Sequence, residues 1–329
     1  MPLITGELTV LELSEFAQLP AMARFFKSGF NVNALRTNTL LMKDDWTYLD
    51  DRVVEVSSTI LNGIADLESM GLSFSNGGLG TMISQYHQAS AMRAATVTMD
   101  PRVDAERDRI NFPLVSVPVP IIMTPFELNI RELMAARQHG HQLDVTHIDD
   151  ATRSVSEGME TLLFNGSALV IQGTAIYGYT THTSRNTGTG SSWGTSTNIY
   201  PNVLTMLAGL KGDGYASGPY RLYLHPTQFQ QALALNANTS TTIMSTIQSL
   251  PGFGPGSVKE VGTLTAGQAV LVNMTRNVVD LSVGQNTTVV EWAEKGGMAS
   301  EFIVMACMVP RVKSTADGKS GVYHMSGLT

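Results

Sequence analysis

The sequence predicts an α+β fold, and three observations carry that expectation. The stretch "THIDDATRSVSEGMETLLFNGSA" from Thr146 sets Ile148, Thr152, Val155, Met159 and Leu162 on one stripe, with Ala151 and Leu163 beside it. That is the period of an amphipathic helix. Ahead of it, from Thr81, runs alternating, proline-punctuated strand character. Behind it, from Val258, comes a series of strands joined by short turns. The resulting order is helix, long ribbon, long helix, small α/β unit and strands, an α+β layout. It lacks the regular βαβ alternation of a dinucleotide fold and contains no internal repeat.

Each element has a local reason. Residues 1–40 hold apolar clusters cut by Pro20 and Gly29 and are expected to form an arm lying on a neighbour. Leu41 to Leu72 is expected to be a helix started by Asp44 or Asp45. Trp46, Leu49, Val53, Val56 and Ile60 recur at helical spacing, Gly63 weakens or ends the helix, and Gly71 closes the unit. "SNGGLG" is a turn. Pro113, Pro118, Pro120 and Pro125 lack ladder donors, so their strands belong at a sheet edge or on a ribbon. Gly166 is placed to terminate the long helix in a left-handed conformation. The opposite face of that helix shows Asp149, Asp150, Arg153, Ser156, Glu157 and Glu160. A strand is expected around Ala175–Tyr179, then a Thr/Ser/Gly-rich loop to about Asn198. From Pro201 the pattern reads helix, tight turn, strand, helix, with "YRLYLHP" the clearest buried strand.

Composition narrows the function. Hydrophobic residues make up 43% and charged residues 15% of the chain, against about 25% charged in a typical soluble domain; this fits surfaces that become interfaces. Net charge is −7 with no basic stripe, so phosphate-backbone contacts are expected to be weak and non-specific. The single cysteine, Cys307, excludes an intrachain disulfide and reads as a small buried hydrophobe. The N-terminus lacks the basic and apolar regions of a signal peptide. No apolar run reaches the roughly 18 residues of a membrane span.

No chemistry-bearing constellation completes itself. His139, His141 and His147 lie close in sequence but lack a Cys or Glu at metal-site spacing. Asp144, Asp149 and Asp150 resemble paired carboxylates. Asp149 and Asp150 are more simply first-turn acids facing the helix dipole. "GFGPGS" (Gly252 to Ser257) is not followed by the Lys-Ser/Thr of a phosphate loop. "NTGTGSSWG" lacks a nucleotide site's strand–helix context, and "NGS" at Asn165 matches a glycosylation triplet without other signs of secretion. The expectation is a non-enzyme with no catalytic residues, cofactor-binding residues, cofactor or metal.

The layout resembles the major capsid proteins of tailed bacteriophages, the Hong Kong phage fold that encapsulin nanocompartments share, and in particular its encapsulin-like branch. The likeness rests on an ordered set: "KDDWTYLDDRVVEVSSTIL", the extended loop, "FPLVSVPVPIIMTPFELNIREL", the helix ending "ETLLFNGSA" followed by "GTAIYGY", "GDGYASGPYRLYLHPTQFQQAL", and "VVEWAEKGGMASEFIVMACMVPRVK". It covers roughly Leu41 to Lys313. It implies an N-terminal arm (1–40), an N-terminal helix region (41–76) and an extension loop, a β-ribbon (77–124). It further implies a peripheral domain (125–200 and 276–329) built on a spine helix (146–166), and an axial domain (201–275).

The resemblance implies a subunit that self-assembles, as pentamers and hexamers, into the icosahedral head enclosing double-stranded DNA. Portal, scaffolding and decoration proteins are the further implied partners, the virion the implied location and the host cytoplasm the place of assembly. The alternative is an encapsulin-type compartment shell around a cargo enzyme. One departure stands out. Some family members crosslink through an extension-loop lysine, whereas here no lysine occurs between Lys43 and Lys211. The loop's cations are Arg93, Arg102, Arg107 and Arg109, and arginine cannot act as a neutral amine nucleophile.

Overall fold

The computed structural model describes residues 53, 62–88, 90, 97, 99, 109–110, 112–129, 146–171, 173–236, 241–294 and 299–329. The arm, the first helix before residue 62 except Val53, most of the ribbon's distal part with Arg93, Arg102 and Arg107, and His139, His141 and Asp144 lie outside these residues.

The described elements follow in chain order: α1 (Asn62–Ser69), β1 (Ser73–Ser75), β2 (Ile83–His87), β3 (Leu114–Pro118), β4 (Ile121–Asn129), α2 (Thr146–Asn165), β5 (Ser167–Ile171), β6 (Thr174–Ile176), β7 (Asn186–Thr189), α3 (Ile199–Gly212), β8 (Tyr220–Leu224), α4 (Pro226–Ala232), α5 (Ile243–Gln248), β9 (Val258–Glu260), β10 (Ala269–Asn273), β11 (Val279–Glu294), β12 (Ala299–Val312) and β13 (Val322–Ser326).

Two larger sheets organise the molecule. A four-stranded sheet runs β1-β11-β12-β4, and a five-stranded sheet runs β7-β13-β10-β8-β9. In the first, β11 and β12 form a long antiparallel pair with β4 on one edge and the short β1, parallel to β11, on the other. Pro125 lies in β4 opposite Ile303. It can occupy a strand because β4 is an edge, where one missing donor costs no ladder bond.

The long helix α2 packs on β4 and β12. Ile148, Ala151, Val155, Met159 and Leu163 join Leu281, Phe302, Val304 and Ala306 in one core. Each fully buried aliphatic side chain contributes roughly 1.5–3 kcal/mol, so this stripe is the main attachment of helix to sheet.

The five-stranded sheet is sandwiched. Every residue of β10 is buried, and the strand's period of two splits them between cores. Val270 and Val272 join the α2 core, whereas Ala269 and Leu271 join a second core with Val203, Met206, Leu207 and Leu210 of α3. The same alternation in β8 sends Tyr223 to the first core and Leu222 and Leu224 to the second. This double burial explains why "YRLYL" reads as an almost unbroken apolar run.

Four expectations are corrected or refined. Ser156 and Glu160, placed on the face opposite the apolar stripe, are buried; Glu160 lies where α1 crosses α2. Gly63, expected to weaken or end the helix, lies in the first turn of α1 at the crossing, where a Cβ would sit 2.7 Å from Leu163 Cδ2 and 2.9 Å from Phe164 Cε2. The Thr/Ser/Gly-rich stretch is no simple loop, since Asn186–Thr189 forms β7, parallel to β13, and Trp193 is fully buried in the second core. Finally, sheet membership does not follow the 200/201 and 275/276 divisions. β7 and β13, from the two segments grouped with the long helix, pair into the same sheet as β8 and β10.

Candidate assembly surfaces

Two pairs of strands stand apart from the larger sheets. The larger pair is β2 and β3, a two-stranded antiparallel ribbon in register Ile83↔Pro118 to His87↔Leu114. A two-stranded ribbon alone is marginal in water, and this one is tied down at its root by residues 311–315. Arg311 lies directly across the ladder from Asp280 and donates to both its carboxylate oxygens, Nε to Oδ1 at 2.7 Å and Nη2 to Oδ2 at 2.6 Å. Its Nη1 reaches the ribbon, donating to Ser84 Oγ at 3.1 Å and Gln85 O at 3.0 Å. The guanidinium also lies 4.4 Å from the centre of the Phe74 ring and 5.4 Å from that of Tyr86, within cation–π range. Lys313 Nζ donates to Asp280 Oδ2 at 2.5 Å, so one buried carboxylate serves two cations. Farther along, Gln88 Nε2 donates to Ser314 O, Ser314 Oγ and Thr315 O.

These anchors escaped the sequence reading. The available signal was a charge, Arg311, at the end of the apolar run "FIVMACMVP", and another, Asp280, inside "NVVDLSV".

The smaller pair is the β5–β6 hairpin, and its root is built by the end of α2. A helix leaves its last carbonyls without intrahelical partners. Here Gly166 N donates to Leu162 O, Tyr179 N to Leu163 O and Thr180 N to Phe164 O. Thr181 Oγ1 donates to Asn165 O. Gly166 adopts φ +73, and a Cβ on it would meet Ile176 O at 2.3 Å. The expected strand at Ala175–Tyr179 is therefore Thr174–Ile176 followed by a helix cap.

Around these pairs apolar side chains face outward: Met82 at the ribbon root, Phe112 and Leu114 toward its far end, Ile121 and Met123 on β4, and Leu169, Val170, Ile171 and Tyr177 on the hairpin. A cavity of about 340 Å³ lies between the two roots, lined by Tyr86, Gln88, Val117, Tyr177, His182 and Thr315 among others. Burial, with Arg185 nearby, pulls His182 down to about 4, so it is neutral near pH 7.

The candidate chemical groups are scattered. His147 is exposed, with its ring stacked 6.5 Å from that of Phe126; Asp149 lies in the first turn of α2, and Asp150 follows just beyond it. Cys307 is buried, and burial pushes its thiol up, away from nucleophile behaviour. Asn165 of the NGS triplet donates to Thr263 O and accepts from Thr180 Oγ1. In "GFGPGS", Gly252 packs against Tyr220 and Gly218, and its carbonyl accepts from Tyr220 N. Among the described residues, no three His, Cys, Asp or Glu side chains converge to hold a metal, and no helix is long and apolar enough to cross a membrane.

Comparison with known proteins places this geometry. The chain is 24% identical over 276 residues to the type 1 encapsulin shell protein EncA of Myxococcus xanthus, covering 83% of this chain and 90% of that one. Its fold matches the virus-like particle from Pyrococcus furiosus with a TM-score of 0.64 at 14% identity, over 85% of this chain and 99% of that one. It matches the capsid of Myoviridae phage XM1 with a TM-score of 0.62 at 12% identity, over 79% and 91%. The architecture is the fold common to tailed-phage capsid proteins and encapsulins. Residues 33–325 match the family described as "Family of unknown function (DUF6260)", and the chain belongs to that family.

Proposed function

We propose that this chain is the major capsid protein of a tailed bacteriophage, a structural subunit rather than an enzyme. It assembles non-covalently into the icosahedral shell around double-stranded DNA. The observation that carries the reading is the ribbon: two strands, β2 and β3, outside both larger sheets and tied along their described length to residues 311–315, in a chain whose fold matches a phage capsid over most of both lengths. In this reading β2–β3 is the base of an extension loop that lies over an adjacent subunit. The unit of α2 and the four-stranded sheet is the peripheral domain, and the five-stranded sheet with α3 to α5 is the axial domain around five- and six-fold axes. Many weak repeated contacts then sum to a closed shell. With net charge −7, packaged DNA is held by volume and counterions rather than by specific contacts. Portal, scaffolding and decoration proteins complete the partner set, with assembly in the host cytoplasm and residence in the virion.

A second reading, a compartment shell around a cargo enzyme, is favoured by one observation, the likeness to an encapsulin shell protein over 90% of that protein's length.

The test is negative-stain electron microscopy of the chain expressed alone and with its neighbouring genes. Closed icosahedral particles support a shell. Double-stranded DNA within particles co-produced with those genes supports the phage head, and a packaged enzyme supports the compartment. Absence of particles under both conditions overturns the shell reading.

A further inference from the structure

The β5–β6 hairpin has an unusual surface for an element so firmly rooted. Leu169, Val170 and Ile171 are consecutive and exposed at 46%, 59% and 37%. Successive strand residues point to opposite faces, so both faces of β5 present apolar side chains. Among the described residues, β5 pairs with β6 alone; its outer edge is open. Exposed edges are normally protected by charge, proline or a bulge turned outward. Here no Asp, Glu, Lys, Arg or Pro occurs from Thr161 to Ser184. The one register irregularity spans Ala168 and Leu169, and Val170 and Ile171 beyond it are paired in regular register with Ala175 and Thr174. Meanwhile the root is immobilised by the capped end of α2, so the tip is presented with little conformational entropy left to lose.

We propose that this hairpin is a contact between copies of the chain, its apolar tip covered by a second copy. The inference rests on the shell reading and names a surface which that reading does not assign. Charge and continuity argue for the occupant. An uncharged segment offers nothing to a nucleic acid or a charged peptide, whereas another copy carries outward apolar side chains at Met82, Leu114, Ile121 and Met123. The hairpin is also continuous with the ribbon root, since β6 packs on β3, so the neighbour under the ribbon is within its reach. A hairpin on one copy meeting a different surface on the next is a heterologous contact, the kind that closes into rings.

The experiment compares wild-type chain with Val170→Lys, both as full-length protein. Val170 is outside every core, so the variant is expected to keep the wild-type melting temperature while particle yield falls at least ten-fold. Independently, amide hydrogen exchange of residues 168–171 in wild-type protein is expected to be at least ten-fold slower in particles than in dissociated subunits. Wild-type particles whose hairpin amides exchange as fast as in free subunits overturn the hairpin proposal alone, as does a Val170→Lys variant that assembles in wild-type yield. If wild-type chain forms no particles even with its neighbouring genes, the shell reading itself fails and the hairpin proposal falls with it. Should Val170→Lys misfold, the exchange measurement on wild-type protein still decides.

Discussion

Arg311 on β12 and Asp280 on β11 face each other directly across the ladder and form a two-pronged, almost fully buried ion pair. The third prong of the guanidinium holds the ribbon. Removing one partner of a buried pair costs roughly 3–5 kcal/mol when the other is left uncompensated; here Lys313 still pairs with Asp280, so the cost falls toward the lower end of that range, with the bonds to Ser84 and Gln85 lost as well. Arg311→Met is therefore expected to lower the melting temperature strongly, by several degrees at least. Arg311→Lys retains charge but loses the fork; it is expected to recover part of the stability while still loosening β2, seen as faster exchange of the Ser84–Tyr86 amides. Equal exchange in wild type and Arg311→Lys would show that the ribbon does not depend on this clamp.

Glu160 accepts a hydrogen bond from Gly63 N at 2.8 Å in the buried crossing of α1 and α2. Burial pushes its carboxyl above the ordinary value, against smaller opposing effects of the backbone hydrogen bonds. A group raised on folding contributes stability below its unfolded value and loses it as pH rises through the folded one. Glu160→Gln keeps an acceptor and cannot ionise. Its melting temperature relative to wild type is expected to rise from pH 4 to pH 8, and a difference independent of pH would contradict this.

Gly166 combines a left-handed backbone with neighbours closer than a Cβ tolerates. Gly166→Ala is expected to cost more than the roughly 1–2 kcal/mol of a left-handed non-glycine residue, because Ile176 O must also move. Chemical denaturation measures the loss. Gly173 is a control: it too has a positive φ, 79°, but open space around it, so Gly173→Ala should cost clearly less.

His182 shifts the other way. It is buried, accepts from Ser184 N, and its pKa falls from 6.5 to about 4 on folding. Between those values the unfolded chain binds more protons, so stability is complete above about pH 6.5 and drains as pH falls towards 4, at up to roughly 1.4 kcal/mol per unit. His324 is lowered too, by burial first and Arg185 second. His182→Gln is expected to flatten the decline between pH 6.5 and 4.5 without abolishing it; an unchanged slope would remove His182 as its source.

The lack of lysine between Lys43 and Lys211 predicts that mature particles contain no lysine–asparagine crosslink through the ribbon. On a denaturing gel they should run as monomer alone. Bands at multiples of the monomer mass would refute this.

What could be read from sequence were features in which local pattern and burial agree. The α2 stripe, Gly166 and the Tyr220–Leu224 strand belong here, each periodic or conformationally special on its own. The prolines likewise pointed to an edge, where Pro125 is found. What escaped was decided by partners distant in sequence. "NTGT" has no strand pattern, and becomes β7 only because β13 lies alongside it. Ser156 and Glu160 look solvent-facing by periodicity yet are buried, Glu160 because α1 crosses at Gly63. Arg311 and Asp280 are each unremarkable charges until β11 and β12 are set in register. The exposed tip of β5 received no assignment from sequence, since nothing local reveals that Leu169 to Ile171 lack a cover among the described residues.

The interleaving of the two sheets has a mechanical consequence. The chain passes from one half to the other between β6 and β7, back between β10 and β11, and across again between β12 and β13. Two lobes on a single tether can swivel; three covalent crossings with a core running through both sheets resist it. Stress applied to one edge of such a subunit is delivered to the other as bending of a plate rather than turning of a hinge. Curvature in anything built from it must then be set at the seams between neighbours, not within each piece.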